Sequence, residues 1–362
     1  MIFARHMNSQ RLVALAVSLC AACATPAAER MPTVAAVSAP EARPAPSNFT
    51  LAFGSCAHQD RPQPVLDAAI AAEPDVFVYL GDNIYGDTED RATLEATYAR
   101  LAERPEFQRL RAAVPIVATW DDHDYGKNDG GREYPMREAS EAVFLDFWQV
   151  PPEGPQRQHP GVYGAFTYGE GDRRVQLLVL DTRSFRGPLA PAGDDPRFKH
   201  RYRPDPSAVL LGDAQWAWLE ARLEEPAALR IIASSIQFSG DYTGFESWAN
   251  LPRERARLVA LLGQSGPSPV LFLSGDVHHG ELSRLTPSGQ PPIYDLTSSG
   301  INQVGTILEP SNTRLGEAVF EPNFGLLSVD WRHREVHLEL RGEEAQTLFE
   351  HCLTFDELTQ AP

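Results

Sequence analysis

The residues in this sequence that could carry chemistry are aspartates and histidines that directly follow short apolar runs. Four such runs lead into an aspartate and two of these also into a histidine, in the segments Gly81-Asp82, Trp120-Asp121-Asp122-His123, Asp181-Thr182-Arg183 and Gly275-Asp276-Val277-His278. One aspartate after a strand means little, because this residue is common in turns and at helix N-termini. Several carboxylates at one edge of a sheet are costly unless cations lie among them. The pattern therefore predicts a metal centre.

The chemistry that fits these residues is metal-assisted phosphoryl transfer. Asp, His, Cys and Tyr can all donate to a transition metal, whereas surplus carboxylates suit hard ions such as Ca²⁺, Mg²⁺ or Mn²⁺. A pair of cations clamps the attacking and leaving oxygens of a phosphate ester and turns a bound water into a hydroxide nucleophile. Asp82 follows a strand and a glycine, which places it to bridge two cations. His123 is flanked by acids that favour its protonated form, which suits it to protonate the leaving oxygen.

Buried strands and amphipathic helices that alternate along the chain must position these residues. Short runs rich in Val, Ile, Leu and Phe predict strands over residues 49–53, 75–80, 114–119, 175–180, 230–236, 270–273 and 293–296. Helical patterns lie between many of them, over residues 64–72, 91–113, 213–225 and 253–262. Residues 324–331, 335–340 and 348–355 indicate successive antiparallel strands. The alternation predicts an α/β fold with a mixed sheet, in which ligands bind beyond the carboxyl ends of the strands.

Length and composition are those of an ordinary globular protein. The 362 residues are 43% hydrophobic and 22% charged, which excludes wholesale disorder and a multispanning membrane protein. The formal net charge is −17, so the surface repels polyanions and we expect no nucleic-acid-binding surface. If a protein of this charge acts on phosphate esters, bound metal must supply the positive charge locally. The sequence leaves the oligomeric state open.

The N-terminal residues predict export. Residues 1–22 have a weakly basic start, an apolar run and small residues, as in a signal peptide. Ala21-Ala22-Cys23 resembles a lipobox, which would make Cys23 a lipidated N-terminus; the alternative is ordinary cleavage after Ala22 or Ala24. Residues 23–47 are rich in Ala and Pro and predict a tether, and residues 48–357 predict one domain. We expect a location in the periplasm or cell envelope, with membrane attachment if Cys23 is lipidated.

Seven segments carry a resemblance to a known family. In chain order they are FGSC (53–56), YLGDNIYGD (79–87), TWDDHDYGKND (119–129), LDTRSFR (180–186), LLGDAQWAWL (210–219), FLSGDVHHGEL (272–282) and DLTSSGIN (295–302). Together they resemble the alkaline phosphatase D (PhoD-like) family of the calcineurin-like metallophosphoesterases. The resemblance implies an αββα sandwich of mixed β-sheets flanked by helices. It also implies a phosphoric ester hydrolase whose partner is a phosphate ester substrate.

The resemblance gives the first metal position a mixed set of donors. The superfamily's opening DxH motif is missing, and Cys56 and Tyr85 look like its replacement. The GHxH motif becomes Gly275-Asp276-Val277-His278, which makes His278 a ligand of the first metal. Asp82 of the GD motif would bridge the two metals. Thiolate and phenolate ligands favour Fe³⁺ at this position, although other ions fit as well.

The second metal position is implied to be rich in carboxylates. The Asn-His pair of the superfamily's GNH motif becomes Asp122-His123, which makes Asp122 a ligand of the second metal and His123 the leaving-group acid. Asp276 would bind the same metal. Oxygen donors of this kind favour Ca²⁺, with other divalent ions as alternatives.

Three residue roles stay open at this stage. The fourth superfamily ligand, a histidine, should fall near residues 236–238, where the sequence offers no histidine; Gln237 or a carboxylate such as Asp121 are the alternatives. Arg183 either binds the substrate phosphate through its planar fork or forms a salt bridge to a ligand aspartate. Cys56, unless it is a metal ligand, is either an inert thiol or paired with Cys352 in a disulfide.

Three functions remain for comparison. The first is an exported phosphatase that hydrolyses phosphomonoesters, with metal-activated hydroxide as nucleophile. The second is a phosphodiesterase or phospholipase D-like enzyme with the same centre and another pocket. The third is a non-catalytic lipoprotein that binds metal or phosphate. The intact His123 argues against the third function, because a binding protein has no need of a leaving-group acid.

Overall fold

The structure is a computed structural model that describes residues 48–197, 201–241, 244–266 and 268–361. The predicted signal peptide and tether, including Cys23, lie outside the described residues. In the described part of the chain, no helix is long and apolar enough to cross a membrane.

Thirteen strands and eight helices follow one another along the described residues. The strands are β1 (Asn48–Gly54), β2 (Val76–Leu80), β3 (Ile116–Thr119), β4 (Gly164–Tyr168), β5 (Val175–Val179), β6 (Leu229–Ala233), β7 (Val270–Ser274), β8 (Gly280–Leu285), β9 (Ile293–Ser298), β10 (Arg314–Val319), β11 (Phe324–Asp330), β12 (Glu335–Arg341) and β13 (Thr347–Thr354). The helices are α1 (Val65–Ala71), α2 (Arg91–Ala102), α3 (Pro105–Ala113), α4 (Asp122–Tyr125), α5 (Arg137–Phe147), α6 (Gly212–Leu223), α7 (Pro252–Gln264) and α8 (Phe355–Thr359).

The strands form two mixed sheets. The first has the order β13-β12-β11-β1-β2-β3, in which β1, β2 and β3 are parallel and β11, β12 and β13 are antiparallel to their neighbours. The second has the order β10-β8-β9-β7-β6-β5-β4, with β5, β6, β7 and β9 parallel. Strands β2, β5, β6 and β7 are buried along their whole length, because both of their faces are covered.

The two sheets pack face to face, and helices cover their outer faces. Alternate residues of β1 and β2, such as Leu51 and Val78, share one apolar cluster with Leu177 of β5 and Leu271 of β7. The other face of the first sheet packs on α1, α2, α3 and α5, and the other face of the second sheet packs on α6 and α7. This arrangement is the αββα sandwich, so the predicted fold class is confirmed.

One predicted helix is wrong as a single element. The pattern over residues 91–113 forms two helices, α2 and α3. Arg104 between them is extended, because a proline disfavours helical backbone in the residue before it, and Pro105 begins α3.

The carboxyl ends of the parallel strands from both sheets meet at one edge. A β-bridge pairs Ser55, after β1, with Ser299, after β9, and so joins the two sheets there. Gly81 follows β2 with a φ of 98°, and a Cβ atom at this position would lie 2.4 Å from the Cβ of Asp121. Only glycine permits that approach. The loops that carry the predicted site residues are therefore drawn together.

Candidate metal centre

Four of the predicted metal ligands lie on left-handed backbone directly after a strand. The φ angle is 60° at Cys56, 51° at Asp82, 73° at Asp276 and 60° at His278. Such angles cost free energy in residues other than glycine and persist where the surrounding structure enforces them. The amide of His278, for example, donates to the hydroxyl of Ser299 at 2.7 Å. Strained backbone of this kind clusters at functional sites.

Mixed donors gather at the first of two adjoining positions. Donor atoms of Cys56, Asp82 and His278 all lie within 4.8 Å of one another. The Cys56 Sγ is 3.6 Å from Oδ2 of Asp82. The Tyr85 hydroxyl donates to the same Oδ2 at 3.3 Å and lies 3.2 Å from Nε2 of His278. A thiol, a phenol, an imidazole and a carboxylate in one place are suited to a transition metal.

Carboxylates dominate the second position. Donor atoms of Asp121, Asp122 and Asp276 lie within 4.8 Å of one another, and so do those of Asp82, Asp122 and His123. Asp82 therefore belongs to donor groups at both positions, as expected of a bridging ligand. Oxygen donors of this number are suited to a hard divalent cation.

Ionisation in the centre favours bound cations. Burial and the charge of Asp122 raise the pKa of Asp82 well above its usual range, and burial and nearby carboxylates do the same to the pKa of Asp276. Burial also opposes the thiolate of Cys56, but the charge and hydrogen bond of His278 outweigh it and lower the pKa of this thiol to about 6. The centre thus offers a thiolate and buried acids whose ionisation bound cations would favour, and its donor set fits two metal ions.

Asp87 orients His123. The Nδ1 atom of His123 lies 2.8 Å from both carboxylate oxygens of Asp87. Burial opposes the charged imidazole, but the hydrogen bond to Asp87 and the charges of Asp122 and Asp87 prevail and raise the pKa of His123 to about 9. Because Nδ1 is engaged, Nε2 is the nitrogen available to a substrate. Sequence reasoning gave Asp87 no role, although this residue closes the YLGDNIYGD segment that carried the resemblance.

The two alternatives for the missing superfamily histidine, Gln237 and Asp121, make different contacts. The side-chain amide of Gln237 donates to Oε1 of Glu281 at 2.9 Å and to the hydroxyl of Thr297 at 3.0 Å. Asp121 uses its Oδ1 to accept a hydrogen bond from Ser235 at 2.5 Å. Its Oδ2 is buried with no hydrogen-bond partner among the described residues, within the carboxylate group. The hydrogen bonds of Gln237 engage its Nε2 and not Oε1, the atom through which an amide binds a metal, so both residues stay alternatives.

Arg183 lies in a buried group of paired charges that we call the arginine network, consisting of Arg183, Arg186, Asp121 and Glu246. The Nε of Arg183 donates to Oδ1 of Asp121 at 2.6 Å, and its Nη1 contacts Glu246. Arg186 pairs with the second oxygen of Glu246 at 2.8 Å. Arg183 is fully buried. This arrangement favours the salt-bridge alternative, and the binding of substrate phosphate by Arg183 stays a prediction.

Two supporting residues were missed by sequence reasoning. Glu246 lies in a segment without a recognised motif, and only the fold brings it to Arg183. Asp124 accepts hydrogen bonds from the backbone amides of Asp82 at 3.2 Å and Asp121 at 2.6 Å, so it ties the loop after β2 to the loop after β3. Its place inside WDDHD was a usable signal. Cys56 and Cys352 are both free thiols, so the disulfide alternative is wrong.

Sequence comparisons match most of the described chain to known proteins. A sequence model of the family described as PhoD-like phosphatase matches residues 51–306. Alkaline phosphatase D from Bacillus subtilis (strain 168) is 26% identical over 286 residues, which are 66% of this chain and 47% of that protein. The chain therefore spans about half the length of the curated relative that it matches.

Solved structures share the fold. A structure of PhoD covers 88% of this chain and 72% of its own, with a TM-score of 0.68 and 20% identity. A purple acid phosphatase from seeds of yellow lupin (Lupinus luteus) covers 88% of this chain and 56% of its own, with a TM-score of 0.58 and 13% identity.

Proposed function

Because the chain belongs to the PhoD-like phosphatase family, we propose that it hydrolyses phosphate monoesters in a metal-dependent reaction. One observation carries this proposal. The acids Asp82, Asp122 and Asp276, which we call the metal-centre acids, lie together at one sheet edge beside a thiol and an imidazole. Asp82 belongs to donor groups at both positions. Such a concentration of negative charge is costly to bury without cations.

The residues at the edge fit one softer and one harder cation. At the first position the donors are Cys56, Tyr85, His278 and the shared Asp82. At the second they are Asp82, Asp122, Asp276 and the free oxygen of Asp121. We propose Fe³⁺ at the first and Ca²⁺ at the second, with other divalent ions as alternatives. When bound, the ions supply Lewis-acid polarisation of the phosphoryl oxygens and acidify a water.

His123 supplies the proton that the leaving oxygen needs. Asp87 fixes the tautomer and orientation of the imidazole through Nδ1. The raised pKa of His123, about 9, keeps its Nε2 protonated at neutral pH. A positioned acid of this kind lowers the barrier for departure of a poor leaving group, such as an alkoxide, more than for a good one.

The exposure of the donors indicates the side from which a substrate enters. Cys56, Asp82 and Asp122 are buried and form the floor of the centre, whereas His123 and His278 are only partly buried. A phosphate group that approaches from the histidine side meets Nε2 of His123 while its other oxygens face the floor. The floor also excludes bulk water from the donor atoms, which strengthens electrostatic interactions there.

A phosphodiesterase or phospholipase D-like activity is the second candidate, because the same centre accepts a diester if the entrance leaves room for a second ester group. A non-catalytic metal- or phosphate-binding lipoprotein is the third. The Asp87–His123 pair favours either hydrolase over the binding protein, because it organises a proton donor that binding alone does not require.

Export and attachment are also part of the proposal. We propose that residues 1–22 direct the chain to the periplasm or cell envelope, and that Cys23 is the lipidated N-terminus. Cell fractionation with mass spectrometry of the mature N-terminus tests both points. A Cys23→Ser chain recovered in the soluble exported fraction, while the wild type is in the membrane fraction, would support lipid attachment; an uncleaved N-terminus would contradict export.

The experiment that separates the three functions uses natively purified full chain with 4-nitrophenyl phosphate and bis(4-nitrophenyl) phosphate. We expect faster hydrolysis of the monoester, loss of activity on dialysis against a chelator, and recovery when Fe and Ca ions are returned. A faster diester reaction would favour the second candidate. Bound metal without turnover of either ester would favour the third.

A matched pair of variants tests the role of His123. His123→Asn should lower hydrolysis of an alkyl monoester about 10²- to 10⁴-fold and that of 4-nitrophenyl phosphate less, because nitrophenolate needs little protonation. His333→Asn, at an exposed histidine on the turn after β11, is the control and should hydrolyse both esters at the wild-type rate. Equal losses for both esters in His123→Asn would contradict the proton-donor role.

A further inference from the structure

A second group of side chains of metal-ligating types lies on the last hairpin of the first sheet, apart from the residues described above. Donor atoms of Glu335, His337 and Cys352 all lie within 4.8 Å of one another. His337 and Cys352 are directly opposite each other in the antiparallel pairing of β12 with β13. Glu335 is two residues before His337 on the same strand, so both side chains lie on the same face.

That face is the outer one. Val336 and Leu338, which alternate with the two donors on β12, are buried, and so is Leu353 on β13. The side chains of His337 and Glu335 are 47% and 34% exposed, and Cys352 is an exposed free thiol. The three donors are therefore accessible to ions in solution. The pairing of β12 with β13 fixes the positions of their backbones relative to one another.

The donor types and their spacing suit a transition metal ion. A thiolate, an imidazole and a carboxylate are the ligands that Zn²⁺ takes in proteins, and two ligands of one tetrahedral Zn²⁺ lie about 3.5 Å apart. Nε2 of His337 is 3.7 Å from Oε2 of Glu335, so this pair needs little movement to share an ion. Three protein ligands would leave a fourth position for water.

Charges around the group also attract a cation. Partial burial and the charges of Glu335 and Glu357 raise the pKa of the Cys352 thiol. Two residues further along the ladder, Glu339 and Glu350 face each other across the same two strands, with Glu339 paired to Arg341 at 2.9 Å. A cation among these groups would displace the thiol proton and offset the repulsion between the acids.

We propose that Glu335, His337 and Cys352 bind a Zn²⁺-type divalent ion that ties β13 to β12. Strand β13 is at the edge of the first sheet, where β12 is its single neighbour among the described strands. A metal bridge between side chains would hold this edge strand in place, and an edge strand held in this way is less available for pairing with another chain. The proposal is independent of the phosphatase activity, because it uses none of the residues at the carboxyl edge.

The test is the rate at which N-ethylmaleimide alkylates Cys352 in the reduced full chain, measured by peptide mass spectrometry with and without added ZnCl₂. We expect Zn²⁺ to slow alkylation of Cys352 about tenfold or more, because a metal-bound thiolate is a poor nucleophile. Hydrogen exchange of residues 347–354 should slow under the same conditions. The Asp82→Asn chain should show the same protection of Cys352, which separates this site from the phosphatase centre.

Two variants at exposed histidines complete the test. His337→Ala should lose the protection, whereas His333→Ala should keep it, because the imidazole of His333 is engaged with Asp330 outside the group. Alkylation of wild-type Cys352 at an unchanged rate in Zn²⁺ would overturn the proposal. Equal protection in His337→Ala would overturn it as well, since the thiol alone would then account for binding.

Discussion

Two groups of buried charge lie side by side in this protein, and only one of them is balanced. The arginine network contains two guanidinium groups and two carboxylates, each within contact of an opposite charge. Among the metal-centre acids, donor atoms of Asp122 lie within 4.8 Å of those of Asp82 and of Asp276, and Asp82 lies 3.6 Å from Sγ of Cys56. Burial and neighbouring carboxylates raise the pKa of Asp82 and Asp276, whereas the charges of Arg183 and His123 lower the pKa of Asp122 against the effect of its burial.

Pairing of charges within the chain distinguishes a structural group of buried charges from a site that is built for a ligand. Buried charges that are paired within the chain have a structural role, and each ionised group is stabilised by its partner in the fold. Buried charges of one sign need a partner from solution. Asp121 connects the two groups, since its Oδ1 pairs with Arg183 while its Oδ2 remains without a hydrogen-bond partner in the described part of the chain. The network therefore fixes Asp121 beside the metal-centre acids.

The largest effect is expected from Asp82→Asn. This change removes the carboxylate shared by both positions, and we expect phosphatase activity to fall about 10³-fold or more. Without metal, the Asp82→Asn protein should nevertheless be more stable than the metal-stripped wild type. The variant lacks a buried carboxyl group whose ionisation is costly in the folded state. Urea unfolding of the metal-stripped wild type and the metal-stripped Asp82→Asn protein measures this difference in stability. Asp172→Asn, at an exposed aspartate, is the control, and a stripped Asp82→Asn chain less stable than wild type would contradict the account.

Arg183→Met, in the arginine network, should lower the stability of the protein. It leaves Asp121 buried without its guanidinium and Glu246 with Arg186 alone, and we expect a loss of about 3–5 kcal/mol in the free energy of unfolding. Arg91→Met, which breaks an exposed pair with Glu95, should cost less than about 1 kcal/mol. Urea unfolding measures both. A loss in Arg183→Met as small as that in Arg91→Met would show that the network is not structural.

The pH dependence of the stripped protein should reveal the unbalanced acids. The pKa of Asp82 and Asp276 is higher in the folded chain than in the unfolded chain, so the folded state binds more protons above the usual aspartate range. Their contribution to stability is therefore lost as pH rises towards neutrality. Added metal should restore stability most at neutral and alkaline pH, where it does not compete with protons. Thermal unfolding at several pH values, with Asp82→Asn as the reference, checks this; a pH profile identical in the two chains would contradict it.

Asp87→Asn should have the smallest effect, on the pH profile of activity. The carboxylate of Asp87 helps raise the pKa of His123 to about 9, so activity that needs protonated His123 is lost as pH rises through that value. Without Asp87 the loss should begin at lower pH, while activity at mildly acidic pH changes less. The ratio of kcat/KM between the two chains across pH measures the shift. Parallel profiles would show that Asp87 does not control the proton on His123.

The gathering of the predicted ligands at one sheet edge could be predicted because these residues follow strands directly. Asp82, Asp122 and Asp276 each come after a run that is visibly apolar, and strand ends of an α/β sheet meet at one edge. The outer strands were harder to predict. Strand β10 (RLGEAV) carries two charges and a glycine, and β4 is half exposed, so neither has an apolar run. Such strands are specified by pairing with neighbours that are distant in sequence.

The supporting residues could not be predicted for a similar reason. Glu246 meets Arg183 across 63 positions of chain, and nothing in its local sequence marks it. The contacts of Gln237 and Asp121 likewise come from the fold, which bonds Nε2 of Gln237 to Glu281 and Thr297 and pairs Oδ1 of Asp121 with Arg183. Residue type and spacing identify donors that follow strands, but the partners of those donors emerge only from tertiary contacts.

The most direct test of the unbalanced group is the metal content of natively purified chain, measured by elemental analysis beside Asp82→Asn and Arg91→Met. We predict at least two ions per wild-type and Arg91→Met chain at the carboxyl edge, and loss of at least one in Asp82→Asn. Wild-type protein that hydrolyses phosphate esters while carrying no stoichiometric metal would contradict the account.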